Sequence, residues 1–149
     1  MDASEQASTA EQVAQELVTL SRRLRNGARQ IYGEDGLTFV EYSLLTLVDD
    51  HPGISAGALA RAASIDKSTA SRQLGELRRR DLLRRHHDAS SPRTQALELT
   101  ENARVILGHI RRRSGAEIAA RLADWPPQDI QRFAEFLHRY NSSAPLDPI

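Results

Sequence analysis

Residues 54–86 read ISAGALARAASIDKSTASRQLGELRRRDLLRRH, and the fold turns on how this stretch divides. The reading predicts a short helix from Ser55 to about Ala63, a break at Ser64-Ile65, and a second helix from Asp66 to about Arg80. Two short helices joined by a tight break are the layout of a helix-turn-helix. Ala58, Ala60, Ala62 and Ala63 keep the first helix slim, so the second can pack close across it, with Ile65 plugging the turn. Ala70, Leu74 and Leu77 recur at helical spacing and form the buried stripe of the second helix. Its opposite face carries Lys67, Ser68, Ser71, Arg72, Gln73 and Arg78.

That opposite face has the chemistry of a major-groove reader. Asp66 is a good N-cap, which puts Lys67, Ser68 and Thr69 in the first turn. Recognition helices present their N-terminal residues to base edges. Serine and glutamine can hydrogen-bond bases or backbone, and Arg72 suits phosphate or the acceptor edge of guanine. Ser55, the cap of the first helix, is counted with these candidates. Gly75 lies inside the second helix, where glycine costs about 1 kcal/mol relative to alanine. Nothing in the sequence accounts for it.

Downstream, Leu82 to His86 and Thr94 to Leu99 read as two strands joined by a polar turn containing Pro92. In the second strand Thr94, Ala96 and Glu98 alternate with Gln95, Leu97 and Leu99. Arg84 and Arg85 lead into the bend, His86 and His87 sit at it, and Arg93 lies near the tip. A basic hairpin beside a recognition helix is a wing, suited to the minor groove or its phosphates.

The flanks are helical. A helix is predicted from about Thr9 to Tyr32, with Val13, Leu17, Leu20, Leu24, Ala28 and Ile31 on one stripe. Gly33 and Gly36 end that pattern. Thr38-x-x-Glu41 is a capping box for the next helix. Phe39 to Val48 is apolar nearly all round and is expected at the buried centre, ending at Asp50-His51-Pro52-Gly53. Thr100 caps a long helix to about Trp125, with Ala103, Leu107, Ile110, Ser114, Ile118, Leu122 and Trp125 as its seam. Pro126-Pro127 opens a last helix whose stripe is Ile130, Phe133, Leu137 and Tyr140. The expected class is mainly α with a small β-hairpin. One winged helix-turn-helix domain spans 10–142, with a DNA-binding lobe at about 54–100 and disordered tails at 1–9 and 143–149. Helices at about 10–32 and 101–142 are the expected dimerisation elements. Val13, Leu17, Leu20, Leu24, Ile130, Phe133, Leu137 and Tyr140 would form the interface, since a two-fold protein reads two half-sites.

Composition agrees with a globular chain of 149 residues, with 40% apolar and 27% charged residues. The formal net charge is zero, yet charge is unevenly spread. Residues 1–50 hold nine acids and four arginines, whereas residues 61–93 hold nine bases and four acids. A neutral protein with one basic third still attracts phosphate locally. Lys67 is the only lysine among the 20 basic residues. No cysteine is present, so disulfides, thiolate chemistry and cysteine-based metal sites are excluded. No apolar run approaches a membrane span and Met1 to Ala10 lacks the pattern of a secretory signal, so a cytoplasmic location is expected.

Here a resemblance becomes specific. The stretch from Ile54 to Thr100 resembles the MarR family of bacterial regulators. The matching pieces are Leu59-Ala60, Ser71-Arg72, Leu82-Leu83 and Asp88-x4-Arg93-x3-Leu97-x-Leu99-Thr100. The resemblance implies a homodimer with intertwined terminal helices, binding to a pseudo-palindrome, usually repression, and often relief by a small aromatic or anionic ligand. Asp81 stands where the family usually has glycine, and Ser90 where it often has arginine. Arg93 matches a second family arginine, which can brace the wing through Asp88. An effector pocket would draw on Arg25, Tyr42, His51 and His109.

Three other readings are weaker. Gly53-Ile54-Ser55-Ala56-Gly57 matches a hydrolase nucleophile pattern, but that motif needs a preceding strand and a large α/β sheet. His86 and His87 would point to opposite faces of a strand and so cannot easily chelate one ion. A winged helix that binds protein instead of DNA is the third. Neither an enzyme activity, a metal nor a cofactor is expected.

Overall fold

In the computed structural model, which describes residues 3–87 and 95–143, the elements follow the predicted order. They are α1 (Ala3–Tyr32), a 3₁₀ turn (Gly33–Asp35), α2 (Phe39–Asp50), α3 (Ala56–Ala62), α4 (Lys67–Arg79), β1 (Leu83–His87), β2 (Gln95–Leu99), α5 (Glu101–Arg121) and α6 (Pro127–Asn141). The chain divides into two compact units, Met1–Arg112 and Arg113–Ile149, with α5 running through the division. The reading of one domain over 10–142 drew no such line.

α1 begins six residues before the expected Thr9. Alanines favour the helix, Glu5 complements the positive end of its dipole, and the Thr9 hydroxyl donates to the Glu5 carbonyl at 2.9 Å. α2 carries the predicted capping box. The Glu41 N–H donates to Thr38 Oγ1 at 3.2 Å, and the Thr38 N–H donates to Glu41 Oε2 at 2.8 Å. The helix is not buried all round as expected. It lays one face, Glu41, Leu44, Leu45 and Val48, into the core and leaves Phe39 and Val40 exposed. Those two belong to its first turn, where Phe39 meets only the edge of the core, at the Tyr32 ring.

The first unit has a leucine core. Leu44, Leu45, Leu59, Leu74, Leu77, Leu82, Leu97, Leu107 and Ile110 are all fully buried. Truncating any one of these to alanine would cost about 2–5 kcal/mol. Of the expected seam, Ala103, Leu107 and Ile110 are buried and Ile118 is exposed; α5 ends at Arg121, short of the expected Trp125, which is itself exposed. β1 and β2 pair antiparallel, with Leu83 opposite Leu99 and Arg85 opposite Leu97. The segment before α3 adds to this hairpin. The Leu97 N–H donates to the Ile54 carbonyl at 3.0 Å, the Gly53 N–H donates to the Leu97 carbonyl at 3.2 Å, and Ser55 bridges Ala96. This third partner covers Ala96, which strand alternation had grouped with exposed Glu98.

α3 and α4 end in the same device. At the end of α3, Ile65 N–H donates to the Ala60 carbonyl and Ser64 N–H to the Arg61 carbonyl, both at 3.0 Å. At the end of α4, Leu82 N–H donates to the Leu77 carbonyl at 2.9 Å and Asp81 N–H to the Arg78 carbonyl at 3.1 Å. These paired bonds are Schellman motifs, which need a left-handed residue at their hinge. Ser64 and Asp81 both adopt φ of 52° there, without being glycine.

One ion pair then ties α4 to α2. Glu41 is buried, at 5% exposure, and its Oε1 accepts from Arg80 Nη1 at 3.1 Å. Arg80 Nη2 donates to the Gly36 carbonyl at 2.9 Å. Gly36 has φ of 68°, a left-handed backbone that favours glycine.

Two stability outcomes follow. Arg80→Ala strands a buried carboxylate and should lower the unfolding free energy by about 2–3 kcal/mol in urea titrations. A change within experimental error would mean that Glu41 is satisfied without Arg80. For Asp81→Gly, relief of a left-handed Cβ penalty of roughly 1–2 kcal/mol should outweigh glycine's entropy cost of about 0.5–1 kcal/mol. The variant should therefore gain stability; a loss would show that the side chain of Asp81 matters more than its backbone.

Candidate nucleic-acid interface

α4 is held at both ends. At its start, Asp66 Oδ1 accepts from the Thr69 N–H at 2.9 Å and Asp66 Oδ2 from the Thr69 hydroxyl at 2.7 Å. The Ser68 hydroxyl also donates to Asp66 Oδ1. The Ser68 hydroxyl, then the hydroxyl and N–H of Thr69, hold the Asp66 carboxyl well below its ordinary range. Ser68 and Thr69 thus spend their hydroxyl protons on the cap, leaving acceptor lone pairs for any other partner. At its far end, the Thr100 hydroxyl donates to the Asp81 carbonyl at 2.7 Å and accepts from the Ala103 N–H at 3.1 Å. Ala70, Leu74 and Leu77 are buried as expected, which turns the other face outward.

On that outer face Lys67, Ser71, Arg72 and Arg78 are exposed and Gln73 is half-buried. An open groove of about 650 Å³ runs between α4 and β1, lined by Ser71, Arg72, Gly75, Glu76, Arg78, Arg79, Asp81, Leu83 and Arg84. Two of its arginines are paired within it, Arg79 with Glu76 and Arg84 with Asp81 at 3.8 Å. Arg72 and Arg78 make no ion pair with a described residue. Arg84 and Arg85 are both exposed on β1, but neighbours on a strand face opposite ways, so only Arg84 lines the groove.

The other candidates fall in several places. The Ser55 hydroxyl accepts from the Ala58 N–H at 3.2 Å, a capping role at the start of α3. Asp88 and Arg93 lie outside the described residues. Of the four effector candidates, Tyr42 stacks on Tyr32 with ring centroids 4.4 Å apart. Arg25, on α1, is exposed, with Nε donating to the Ser21 carbonyl at 3.4 Å, and His51 and His109 are exposed. Close to Tyr42, Arg111 pairs with Asp49 at 2.6 Å, a bond that raises the arginine's pKa. Sequence reasoning missed the Glu41–Arg80 pair that seats α4; its partners are 39 residues apart and carry no local signal. Among the described residues no cluster of three or more metal-ligating side chains occurs, and no helix is long and apolar enough to cross a membrane.

A small hairpin, a third short pairing segment and a helix-turn-helix with an exposed basic second helix define a winged helix-turn-helix protein. The MarR family matches residues 35–93. A putative transcriptional regulatory protein for the hcr operon of Thauera aromatica is 27% identical over 126 residues, covering 83% of this chain and 76% of that protein. The transcriptional regulator HosA of Escherichia coli O157:H7 is 37% identical over 71 residues, covering 48% of this chain and about half, 53%, of HosA. Among solved structures, a MarR family protein from Bacillus stearothermophilus aligns with a TM-score of 0.81 at 17% identity, covering 91% of this chain and 94% of that one. The transcriptional repressor CouR, bound to a 23-mer DNA duplex, aligns with a TM-score of 0.71 at 21% identity, covering 91% and 95%. Over residues 35–93 the chain is similar to the MarR family, and it is a DNA-binding transcriptional regulator.

The cap at Asp66 gives a pH test. Because its folded pKa is lowered, the cap contributes stability above the ordinary carboxylate range and loses it as pH falls through the folded value. Wild type should therefore melt above Asp66→Ala by a constant margin between pH 5 and 7, narrowing only below about pH 4. A margin that closes already between pH 7 and 5 would contradict the assignment.

Proposed function

We propose that this regulator is a homodimeric repressor that binds a pseudo-palindromic operator. The observation that carries the reading is the exposed Ser71-Arg72 face of α4, fixed at both ends and backed by the leucine core. Lys67, Ser68, Thr69, Ser71, Arg72 and Gln73 enter the major groove, with Ser55 at its rim. Arg84 and Arg85 approach phosphates or the minor groove. CouR, itself a repressor bound to duplex DNA, supports the same use of the fold.

Dimerisation is supported by apolar surface that one chain leaves uncovered. On α1, Val13, Leu20 and Leu24 are exposed and Leu17 is half-buried. α6 has no buried residue: Phe133 and Tyr140 are exposed, while Ile130 and Leu137 are half-buried. Soluble proteins rarely leave such stripes bare. A second copy covers each stripe and places two α4 helices roughly 10 base pairs apart, centre to centre. A small aromatic or anionic effector, held at Tyr42 with Arg25, His51 and His109, relieves repression by favouring a half-site spacing unlike that of DNA.

Anisotropy titration of an operator duplex tests the repressor reading. Wild type should bind it over a scrambled duplex and lose affinity steeply with salt. Arg72→Ala should weaken operator binding by about 1–3 kcal/mol while the protein stays folded; undiminished affinity removes Arg72 from the contact set. In sedimentation, wild type should run as a dimer and Phe133→Glu should shift toward monomer. A wild-type monomer would end the two-fold reading.

A further inference from the structure

We infer that Gly75 marks the point where a DNA sugar–phosphate strand lies against α4, seated in the groove between α4 and β1. The inference rests on the DNA-binding reading above and adds a positioning residue to it. Gly75 is a glycine that the fold does not require. Its backbone is ordinary helix and not left-handed, and a Cβ built on it would meet nothing within 4 Å. Glycine is the poorest helix former after proline, so alanine would make a more stable α4. Gly75 thus leaves open space on the outer side of α4, as Gly27 and Gly115 do on α1 and α5; what sets Gly75 apart is its place in the arginine-lined groove.

Its surroundings say what would fill that space. On a helical projection Gly75 lies within about 60° of Ser71, Arg72, Arg78 and Arg79, on the side turned away from Ala70, Leu74 and Leu77. It is half-buried, sunk between longer side chains. Four arginines line the groove with it: Arg72, Arg78, Arg79 and Arg84. The pairs Arg79–Glu76 and Arg84–Asp81 are solvent-exposed, so their cations can exchange a carboxylate for a phosphate. A bare patch of helix ringed by guanidinium groups suits an extended anion whose backbone must come close.

Distance separates phosphate from base. Base-reading residues lie at the N-terminal end of a recognition helix. Gly75 lies eight residues past Lys67, or about 12 Å along the axis, comparable with the width of the major groove, about 12 Å. A residue that far from the base-reading end lies beyond the base edges and faces the groove wall, which is the strand itself.

The experiment compares wild type with Gly75→Ala on two probes: an operator selected by wild type from a random duplex pool, and a random-sequence duplex at low salt. The inference expects a melting temperature several degrees higher for Gly75→Ala, with affinity about tenfold lower on both duplexes by a similar factor. Equal loss on both is the mark of a sequence-blind backbone contact. Unchanged affinity on both overturns the inference alone and leaves the regulator reading standing. Loss confined to the operator overturns it in favour of a base-edge contact. A lower melting temperature also overturns it, since the glycine would then serve packing. If wild type selects and retains no duplex, the inference falls together with the DNA-binding reading.

Discussion

The buried carboxylate of Glu41 is the interaction on which the presentation of α4 depends. Burying a charge without partners is expensive, so the chain must deliver donors to it. Thr38 supplies one from the capping box, and Arg80 supplies the other from the end of α4. The same guanidinium reaches the Gly36 carbonyl, so the turn before α2 and the end of α4 share one clamp. Thr100, the other buried polar side chain among the described residues, grips the next residue, Asp81, by its carbonyl. Both buried polar groups thus act on the C-terminal end of one helix, while Asp66 holds its start. A binding helix whose far end is tied to its neighbours by hydrogen bonds, and whose first turn is capped, loses little conformational freedom when it docks.

Zero net charge is compatible with a polyanionic partner because charge is segregated along the chain. Four arginines of the basic third, Arg72, Arg78, Arg79 and Arg84, come together in the groove between α4 and β1. Acidic residues within that third are placed to neutralise some arginines locally, as Glu76 does for Arg79 and Asp81 for Arg84. Arg72 and Arg78 have no such neighbour among the described residues, so the field is strongest along the middle of the helix. A surface of this kind attracts phosphate at short range without making the whole protein adhesive.

Most of the architecture was legible in the sequence, and the reason is local. The Thr38-x-x-Glu41 box, the Ala70, Leu74 and Leu77 stripe, and the break at Ser64-Ile65 each depend on residues within a turn or two of one another. What escaped was set at long range. The Glu41–Arg80 pair spans 39 residues, and the pairing of Gly53 and Ile54 with Leu97 spans more than 40. α2 could be seen as apolar all round, but only packing decides that Leu44, Leu45 and Val48 go inward while Phe39 and Val40 stay outside. The candidate interface was legible as a face, from Lys67 to Arg78, but not as a groove. That Ser68 and Thr69 turn their hydroxyls to Asp66, and that Arg84 and Arg85 part company, are facts of geometry that residue type does not encode.

Three places where local preference is violated lie on or beside α4. Ser64 and Asp81 take left-handed backbone without being glycine, while Gly75 is glycine where nothing in the backbone asks for it. Ser64 and Asp81 bracket the helix, and Gly75 lies on its outer side. A chain selected only for stability would exchange these choices, placing glycine at the hinges and alanine in the helix. Natural sequences keep local and global preferences consistent except where function competes, so each of these positions is a candidate for a functional role. The Asp81 hinge can bear its strain because Glu41 and Thr100 fix the end of α4 from the inside. The helix interior can bear its glycine because Ala70, Leu74 and Leu77 anchor the opposite face. The stability that the core supplies is thus drawn down at the one element whose outer surface has work to do.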